Sequence, residues 1–455
     1  MAIKYIRKNG SDSNDGATPA TAWLTIGKAL GAAGISSGDT VYIGAGVYRE
    51  QVTVAMTNPT SETKVIGDVD GSKTSDSGEI RCTGYLNHDK LVEGSSATLS
   101  LNGKSFLTFK KITFIACKND AISATNVVSK NITFTDCFFI SGASSSKLIQ
   151  VSADITNFTP SSWLIERSVF CQARSNNNCI LVTDAGGTGD WTIDFKIKNS
   201  LLMGGIPVQF GQTLTGRAGG LIVENCTFIG GSNAIAVITT GGDQTYVNRI
   251  RNCFFLGQSS AAIAGGYTGR TFEDYNYFAC STPRTNVSAG PNSHATGEWS
   301  YHFHLGQEIW QGKNIKPAFT PCLDSPLLGL ITGIGFSGLD VDYSNRKRPS
   351  GPGVFINSSG ASVGYIEHHD FAKQETSTID GISKPLKIIG PGDQQVFFPV
   401  ESGRLTNLSI KARYDDLYGT TNKPQIILNE NLEWGVSPQT GTLTVGVNTW
   451  ETISF

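Results

Sequence analysis

The most regular feature of the sequence is a four-residue phrase in the middle of the chain, which reads polar, small, any residue, large apolar. Its clearest copies are Asp136–Phe139, Arg167–Phe170, Asn199–Leu202, Asn225–Phe228 and Asn252–Phe255. Weaker copies, Lys111–Phe114 and Asp274–Tyr277, flank them, and the steps between first positions run from 22 to 32 residues. Each copy follows a short alternating apolar segment such as Leu221–Val223. This pattern predicts a succession of short strands joined by turns.

A repeat built only of strands and turns cannot bury its own apolar face, and stacking successive copies solves that problem. We therefore predict a β-solenoid in which each coil adds one parallel strand to each sheet. Alternation places the second and fourth positions of the phrase inside. Asn or Asp at the first position suits a sharp bend with a left-handed backbone. An array of β-sandwiches with the same strand spacing is the alternative.

The residue before each phrase carries a second pattern. Across the coils it reads Thr135, Glu166, Lys198, Glu224, Arg251 and Glu273, and the last five alternate in sign. Stacking in register brings opposite charges together, so we predict an exposed ladder of ion pairs that fixes the register. The alternative is a column of acids and bases that faces a substrate.

The start of the chain carries a distinctive pattern. Polar residues Asn9–Gly16 precede Trp23, and then Ile26, Ala29, Leu30 and Ala33 follow at helical spacing. We expect strands at Thr40–Ile43, Gln51–Val54 and Thr63–Ile66 to form the first coil. This stretch resembles the N-terminal signature of right-handed parallel β-helix proteins of the pectate-lyase-like superfamily.

The end of the predicted solenoid is also similar to that superfamily, through four segments: Asp274–Tyr277, Ser325–Pro326, Asp340–Ser350 and Val363–Glu367. The resemblance covers residues 1–367 and implies an all-β fold, a right-handed parallel β-helix with a helix capping the open end of its core. It implies no single function, because the superfamily includes polysaccharide lyases, glycoside hydrolases, isomerases, virus tailspikes and inert virion parts.

The C-terminal part has a different pattern. Residues 368–381 are polar and lack apolar periodicity, and strand patterns separated by Pro and Gly turns follow them. We therefore predict an N-terminal cap at 1–39, a parallel β-helix at 40–367, a linker at 368–381 and a small β-sandwich at 382–455, whose exposed edge we expect a neighbouring chain to supply or cover. The sandwich resembles carbohydrate-binding or jelly-roll modules, and its candidate ligand-binding residues are Tyr414, Tyr418 and Trp434.

Composition narrows the class of protein. Charged residues make up 16% of the 455 residues, against about 25% in ordinary soluble domains, and Gly contributes 52 residues. A helical bundle would need more Lys, Glu and Leu. The net charge of −2 predicts no nucleic-acid partner and no membrane partner. Met1 to Gly10 lacks a hydrophobic signal core, and the nine cysteines contain no Cys-x-x-Cys pair, so we expect reduced core cysteines.

The sequence does not single out a catalytic residue. The acidic and basic candidates lie around a glycine-rich loop and near the last copy of the phrase: Asp184, Asp190, Asp194, Arg270, Glu273 and Asp274. Hydrolysis of a glycan needs two carboxylates at a defined separation, which stacked coils can supply. The resemblance to the superfamily's lyases implies acidic calcium ligands with an Arg or Lys base, and no phrase here carries such a set over. Asp12–Gly16 is a candidate calcium loop, but its spacing fails the EF-hand pattern, so a capping turn is favoured. No cofactor or metal site is predicted otherwise.

These observations favour a structural protein of a bacteriophage virion, such as a capsid decoration, a head fibre or the shaft of a tail fibre or spike. Its expected partners are other virion proteins or copies of itself, with a trimer as one option, and a host-surface polysaccharide as a candidate ligand. One alternative is a polysaccharide lyase or glycoside hydrolase of the tailspike depolymerase type. Another is a glycan-binding adhesin. The expected location is the virion, with an extracellular location as the alternative, and the sequence leans away from an enzyme without deciding the matter.

Overall fold

The protein is a right-handed parallel β-helix, which confirms the predicted fold class. The computed structural model describes residues 1–85, 96–116, 119–125, 129–141, 147–153, 161–172, 177–184, 191–211, 218–238, 247–266 and 269–295, together with the backbone of eight strands between 303 and 454. Within these residues, three sheets of ten, nine and ten strands run along the solenoid, and every pairing in them is parallel.

Each coil passes from sheet A to sheet B to sheet C. Sheet A consists of Ile3–Ile6, Thr40–Ile43, Thr63–Gly67, Leu107–Lys110, Ile132–Thr135, Ser161–Glu166, Trp191–Lys198, Ala218–Glu224, Asn248–Arg251 and Thr271–Asp274. Sheet B consists of Gly46–Arg49, Ile80–Thr83, Thr113–Ala116, Phe138–Ser141, Val169–Gln172, Leu201–Met203, Thr227–Ile229, Phe254–Leu256, Tyr277–Ala279 and His294–Ala295. Sheet C consists of Val52–Thr53, Leu99–Ser100, Ile122–Ala124, Ile149–Ala153, Asn178–Asp184, Ile206–Phe210, Ile235–Val237, Ala261–Gly265 and Thr282–Thr285.

Stacked side chains fill the core, because in-register coils place identical phrase positions above one another. The fourth phrase position forms an aromatic column in sheet B, in which Phe139 stacks on Phe170 with ring centroids 4.5 Å apart. Phe228, Phe255 and Phe278 continue it at 5.0 and 4.9 Å. Each ring is buried, so it contributes both apolar burial and ring stacking.

The bend between sheets A and B uses the left-handed backbone expected of the first phrase position. Its φ lies between 46° and 58° at Lys111, Asp136, Arg167, Asn199, Asn225, Asn252 and Tyr275. In the last coil Tyr275, not Asp274, makes the bend, so the phrase there reads Tyr275–Phe278. The sequence pattern places this copy one residue too early. The reason is that Asp274 is a more usual residue for a left-handed bend than Tyr275, which adopts it here.

The N-terminal segment covers the first coil. Asp12 accepts hydrogen bonds from the backbone N–H groups of Leu24 and Thr25 and from the Thr25 hydroxyl. The helix is shorter than predicted, Ile26–Ala29, because Gly31 and Gly34 follow it, and Ala33 is exposed. The first coil contains a strand that was not predicted, Gly46–Arg49 of sheet B. Thr63–Gly67, which was predicted to complete the first coil, is the first strand of the second coil.

The remaining described strands pair antiparallel. Phe303–Trp310 pairs with Asn314–Pro321, and Pro352–Phe355 pairs with Ser358–Ser359. By contacts the chain divides into two units, Met1–Val396 and Phe397–Phe455. In the second unit Ser409–Ala412 pairs with Glu451–Ser454, and Gln425–Leu428 pairs with Gln439–Thr442. The predicted sandwich and the boundaries 1–39, 40–367, 368–381 and 382–455 stay predictions.

No helix in the part of the chain that the structure describes has both the length and the apolar character needed to cross a membrane.

Candidate functional site

Within the described residues, Asp194 lies apart from Glu273 and Asp274. Asp194 lies on the outer face of sheet A, where its carboxylate bonds Lys196 Nζ at 2.7 Å. Glu273 and Asp274 lie three coils further along, about 14 Å away at ~4.8 Å per coil. Asp184 ends a sheet C strand, and Arg270 precedes the last strand of sheet A. Asp190, like the candidate sugar-stacking residues Tyr414, Tyr418 and Trp434, falls outside the described residues.

Glu273 lies in the core at the C-terminal end of sheet A. It stacks on Ile250 in the inner column of sheet A, and its side chain is 0% exposed. Its carboxylate accepts hydrogen bonds from Arg284 Nε at 2.5 Å, Gly290 N at 2.6 Å and Ser293 Oγ at 2.6 Å, as well as from the Asn276 amide. A buried carboxylate with four donors is satisfied, so this group holds the closing loop against the last coil.

The charge ladder occupies the outer column of sheet A next to the bend. Register places Glu166 beside Lys198, Lys198 beside Glu224, and Glu224 beside Arg251. Asp274, and not Glu273, lies beside Arg251, because the displaced bend turns Glu273 inward. Lys198 Nζ lies 3.2 Å from the Glu224 carboxylate, and Arg167 bridges Glu166 and Asp136 at 3.1 and 2.9 Å. These partly exposed pairs fix register more than they add stability.

The outer faces of the three sheets differ in chemistry. Sheet A carries the ladder and a parallel column of Thr, Lys, Arg and aliphatic positions that ends in Phe272, which is 53% exposed. Sheet B is mostly apolar on its outside from Phe138 to Tyr277, whereas its first strands carry Arg49 and Arg81 there. Sheet C presents one column of hydroxyl, amide and apolar side chains: Thr53, Ser100, Ser123, Gln150, Leu181, Gln209, Ala236, Ala264 and Thr285.

The longer connections between strands lie before and after the strands of sheet C. The bend from sheet A to sheet B takes only two residues in the last seven coils, for example Asn225–Cys226. The connections before and after sheet C are longer in several coils, as at 84–98 and 211–217. A rigid sheet bordered by loops on both sides is a common setting for ligand binding. We therefore take the outer face of sheet C as the candidate functional site.

Polar contacts concentrate in coils three to six of this face. Lys147 Nζ donates to Gln150 Oε1 at 3.3 Å, and Asn178 Nδ2 donates to Gln209 Oε1 at 3.1 Å. The Ser123 and Thr125 hydroxyls lie 3.2 Å apart. Both amides keep hydrogen-bonding capacity beyond these contacts, since each has two donors and two acceptor lone pairs.

Asp120 is a titratable group at the edge of this face. Its Oδ1 accepts a hydrogen bond from Lys147 N at 2.9 Å. Burial raises the pKa of the Asp120 carboxyl above its ordinary value, and the hydrogen bond and charge of Lys147 offset part of that rise. Asp120 is not among the predicted site residues, although its place just before Ala121–Ala124 marks it as a residue that enters sheet C.

The Asp12–Gly16 turn supports the N-terminal cap. The Asp12 carboxylate is engaged by Leu24 and Thr25, and the Asp15 carboxylate accepts a hydrogen bond from Ala17 N at 2.9 Å, which lowers the pKa of Asp15. Among the described residues, no group of three or more His, Cys, Asp or Glu side chains could hold a metal ion. Calcium binding by the chain stays a prediction.

Comparison with protein-family models and with curated proteins finds no match. Several solved structures are similar. Pectate lyase Pel9A is 14% identical with a TM-score of 0.39, over 81% of this chain and 97% of that one. Pectin methylesterase PemA from Erwinia chrysanthemi is 12% identical with a TM-score of 0.33, over 65% and 93%. A rhamnogalacturonan lyase is 13% identical with a TM-score of 0.35, over 63% and 88%. The three parallel sheets of this chain, independently of these likenesses, establish its fold.

Proposed function

We propose that this chain is a structural β-helix of a bacteriophage virion that binds a polysaccharide along the outer face of sheet C. The observation that carries the binding role is the column of neutral polar side chains on that face, repeated once per coil and bordered by loops. The Ser, Thr, Asn and Gly-rich composition and the ion-paired ladder of sheet A support the structural role.

A linear glycan suits this face because its hydroxyl groups both donate and accept hydrogen bonds, as do Ser123, Gln150 and Gln209. The column repeats every ~4.8 Å along the solenoid axis, so one chain lying along it would meet several coils in succession. Leu181 leaves an apolar area between the Gln150 and Gln209 amides. The column itself carries no charge, and Lys147 Nζ lies beside Gln150, so the binding panel includes both neutral and acidic glycans.

The test is binding of the full chain to a panel of neutral and acidic polysaccharides by affinity electrophoresis or calorimetry. Gln150→Ala removes one amide from the face, and we expect binding to weaken about fivefold to tenfold, equivalent to one hydrogen bond of ~1 kcal/mol. Thr133→Ala, an outer position of sheet A, is the matched control and should bind as the unaltered chain does. Absence of binding to every glycan, or equal loss in both variants, would refute the proposal.

Virion incorporation needs its own test. Mass spectrometry of purified particles should find the protein at constant copy number relative to the capsid protein. Light scattering of the isolated chain would test the trimer that many shafts form. A protein found only in culture supernatant and never in particles would contradict the virion setting.

A polysaccharide-cleaving enzyme is the second candidate, and Asp120 is the observation that favours it. A carboxyl with a raised pKa beside a binding face is the form that a general acid takes. The same polysaccharides should therefore be assayed for new reducing ends and for unsaturated uronates. Product formation that Asp120→Asn abolishes would establish the enzyme, and unchanged substrates would rule it out for that panel.

A further inference from the structure

The outer face of sheet B is apolar over most of its length. One outward column runs Phe138, Val169, Leu201, Thr227, Phe254 and Tyr277. The other runs Ile115, Ile140, Cys171, Met203, Ile229, Leu256 and Ala279. These positions alternate with the inner aromatic column of Phe139, Phe170 and Phe255, so they point away from the core.

Many of these outward side chains are nevertheless buried. Val169 and Leu201 are 0% exposed, Phe254 and Leu256 are 2% exposed, and Tyr277 is 4% exposed. Neighbours in the same sheet shield only the edges of such side chains, as where the Phe254 and Tyr277 rings lie 5.9 Å apart. Outward positions of sheet A are open by comparison, with Phe272 at 53%. Another part of the chain must therefore cover sheet B.

The course of the chain points to the segment that does so. The last sheet B strand, His294–Ala295, pairs with Tyr277–Ala279, so the chain leaves the solenoid at the edge of this apolar face. The hairpin of Phe303–Trp310 and Asn314–Pro321 comes next, in the same compact unit. Residues 296–302 can span at most roughly 25 Å, which keeps the hairpin within about five coils of that exit.

The hairpin has one apolar face by register. Leu305 is opposite Phe319, Ile309 is opposite Ile315, and Phe303 is opposite Pro321, so these six positions share a face with Gln307 and Pro317. The alternate positions are polar or small with one exception: His304, Gly306, Glu308, Trp310, Asn314, Lys316, Ala318 and Thr320. A two-stranded hairpin with such a face needs a partner surface to be stable in water.

We propose that the hairpin of residues 303–321 packs its apolar face on the outer face of sheet B. The solenoid then has a fourth layer over this sheet, and sheet B is closed to lateral association with other chains. This inference is independent of polysaccharide binding, which concerns sheet C.

Photo-crosslinking of the full chain tests this contact. p-Benzoylphenylalanine is placed at Tyr277, where it faces outward from sheet B, and in a control protein at Phe272, on the exposed face of sheet A. We expect the Tyr277 probe to crosslink within one chain to peptides from 303–321, and the Phe272 probe to give no such product. A crosslink from position 277 to a second chain, to residues 397–455 or to any other segment would overturn the proposal.

A paired substitution gives a second measurement. Leu305→Asp lies on the apolar face of the hairpin, and His304→Asp is its neighbour on the opposite face. With the probe at Tyr277, we expect Leu305→Asp to reduce the yield of the 303–321 crosslink at least fivefold and His304→Asp to leave it within twofold. Circular dichroism checks that the solenoid stays folded, and equal yields in both variants would refute the assigned face.

Discussion

The bend at Asn225 offers the sharpest test of how the coils are held together. Asn225 has φ of 54° and is fully buried, its Nδ2 donates to Asn199 Oδ1 at 3.2 Å, and the Asn252 amide donates to its Oδ1. Asn225→Ala removes both hydrogen bonds and leaves the buried Asn252 donor without this acceptor, at a cost of about 1–3 kcal/mol. The left-handed backbone adds about 1 kcal/mol for alanine.

We therefore expect Asn225→Ala to lower the free energy of unfolding by about 2–4 kcal/mol, and Asn225→Gly by about 1 kcal/mol less. Glycine loses the same hydrogen bonds but adopts a positive φ freely, so the difference between the variants isolates the backbone term. Urea unfolding with unchanged m-values gives the comparison. Hydrogen exchange at Asn225 N, which donates to Arg251 O, reports local opening of these coils. If alanine were tolerated as well as glycine, left-handed strain would not be what selects asparagine here.

Two further predictions concern backbone space and pH. Gly204→Ala should lower the melting temperature of the protein by more than Gly230→Ala does. Both glycines have positive φ, but a Cβ at Gly204 would lie 2.1 Å from Gln172 O, whereas nothing lies within 4 Å of a Cβ at Gly230. Equal melting temperatures would refute the steric reasoning. The pKa of Asp120 is raised in the native protein, so the native state loses stability as the pH rises above about 3.9, the pKa of an aspartate in the unfolded chain. Asp120→Asn removes this loss and should therefore raise the melting temperature at pH 7. The gain should shrink as the pH falls toward that value, and a gain that persists at pH 3.5 would contradict the assignment.

The solenoid could be predicted from the sequence because its bend has a fixed length. Two residues separate sheets A and B in the last seven coils, so the polar residue, the small residue and the apolar ring recur in one order. In the coil where the polar residue does not make the bend, the predicted register is wrong by one residue. Tyr275 bends in the last coil, and the prediction consequently placed Glu273 on the ladder although it lies in the core.

The candidate site could not be predicted in the same way. The connections that lead into sheet C vary from coil to coil, so no constant spacing links Ser123, Gln150 and Gln209 to the phrase. Their common column emerges only from strand pairing. Asp120 was overlooked for the same reason, because the burial that raises its pKa depends on where the neighbouring coil places Lys147.

The low charge content of the chain follows from how the three faces are used. Charge on a solenoid is tolerated where opposite signs alternate along a column, and sheet A provides such a column beside its bend. On sheet B, the outward side chains from Phe138 to Tyr277 are apolar apart from Thr227, and a charge among the buried ones would lack a partner. On sheet C, a repeated charge would meet the same charge from the next coil ~4.8 Å away, whereas hydroxyls and amides stack without repulsion. Sheet A therefore carries the ordered column of alternating charge, and the uncharged column of sheet C is left to bind a ligand.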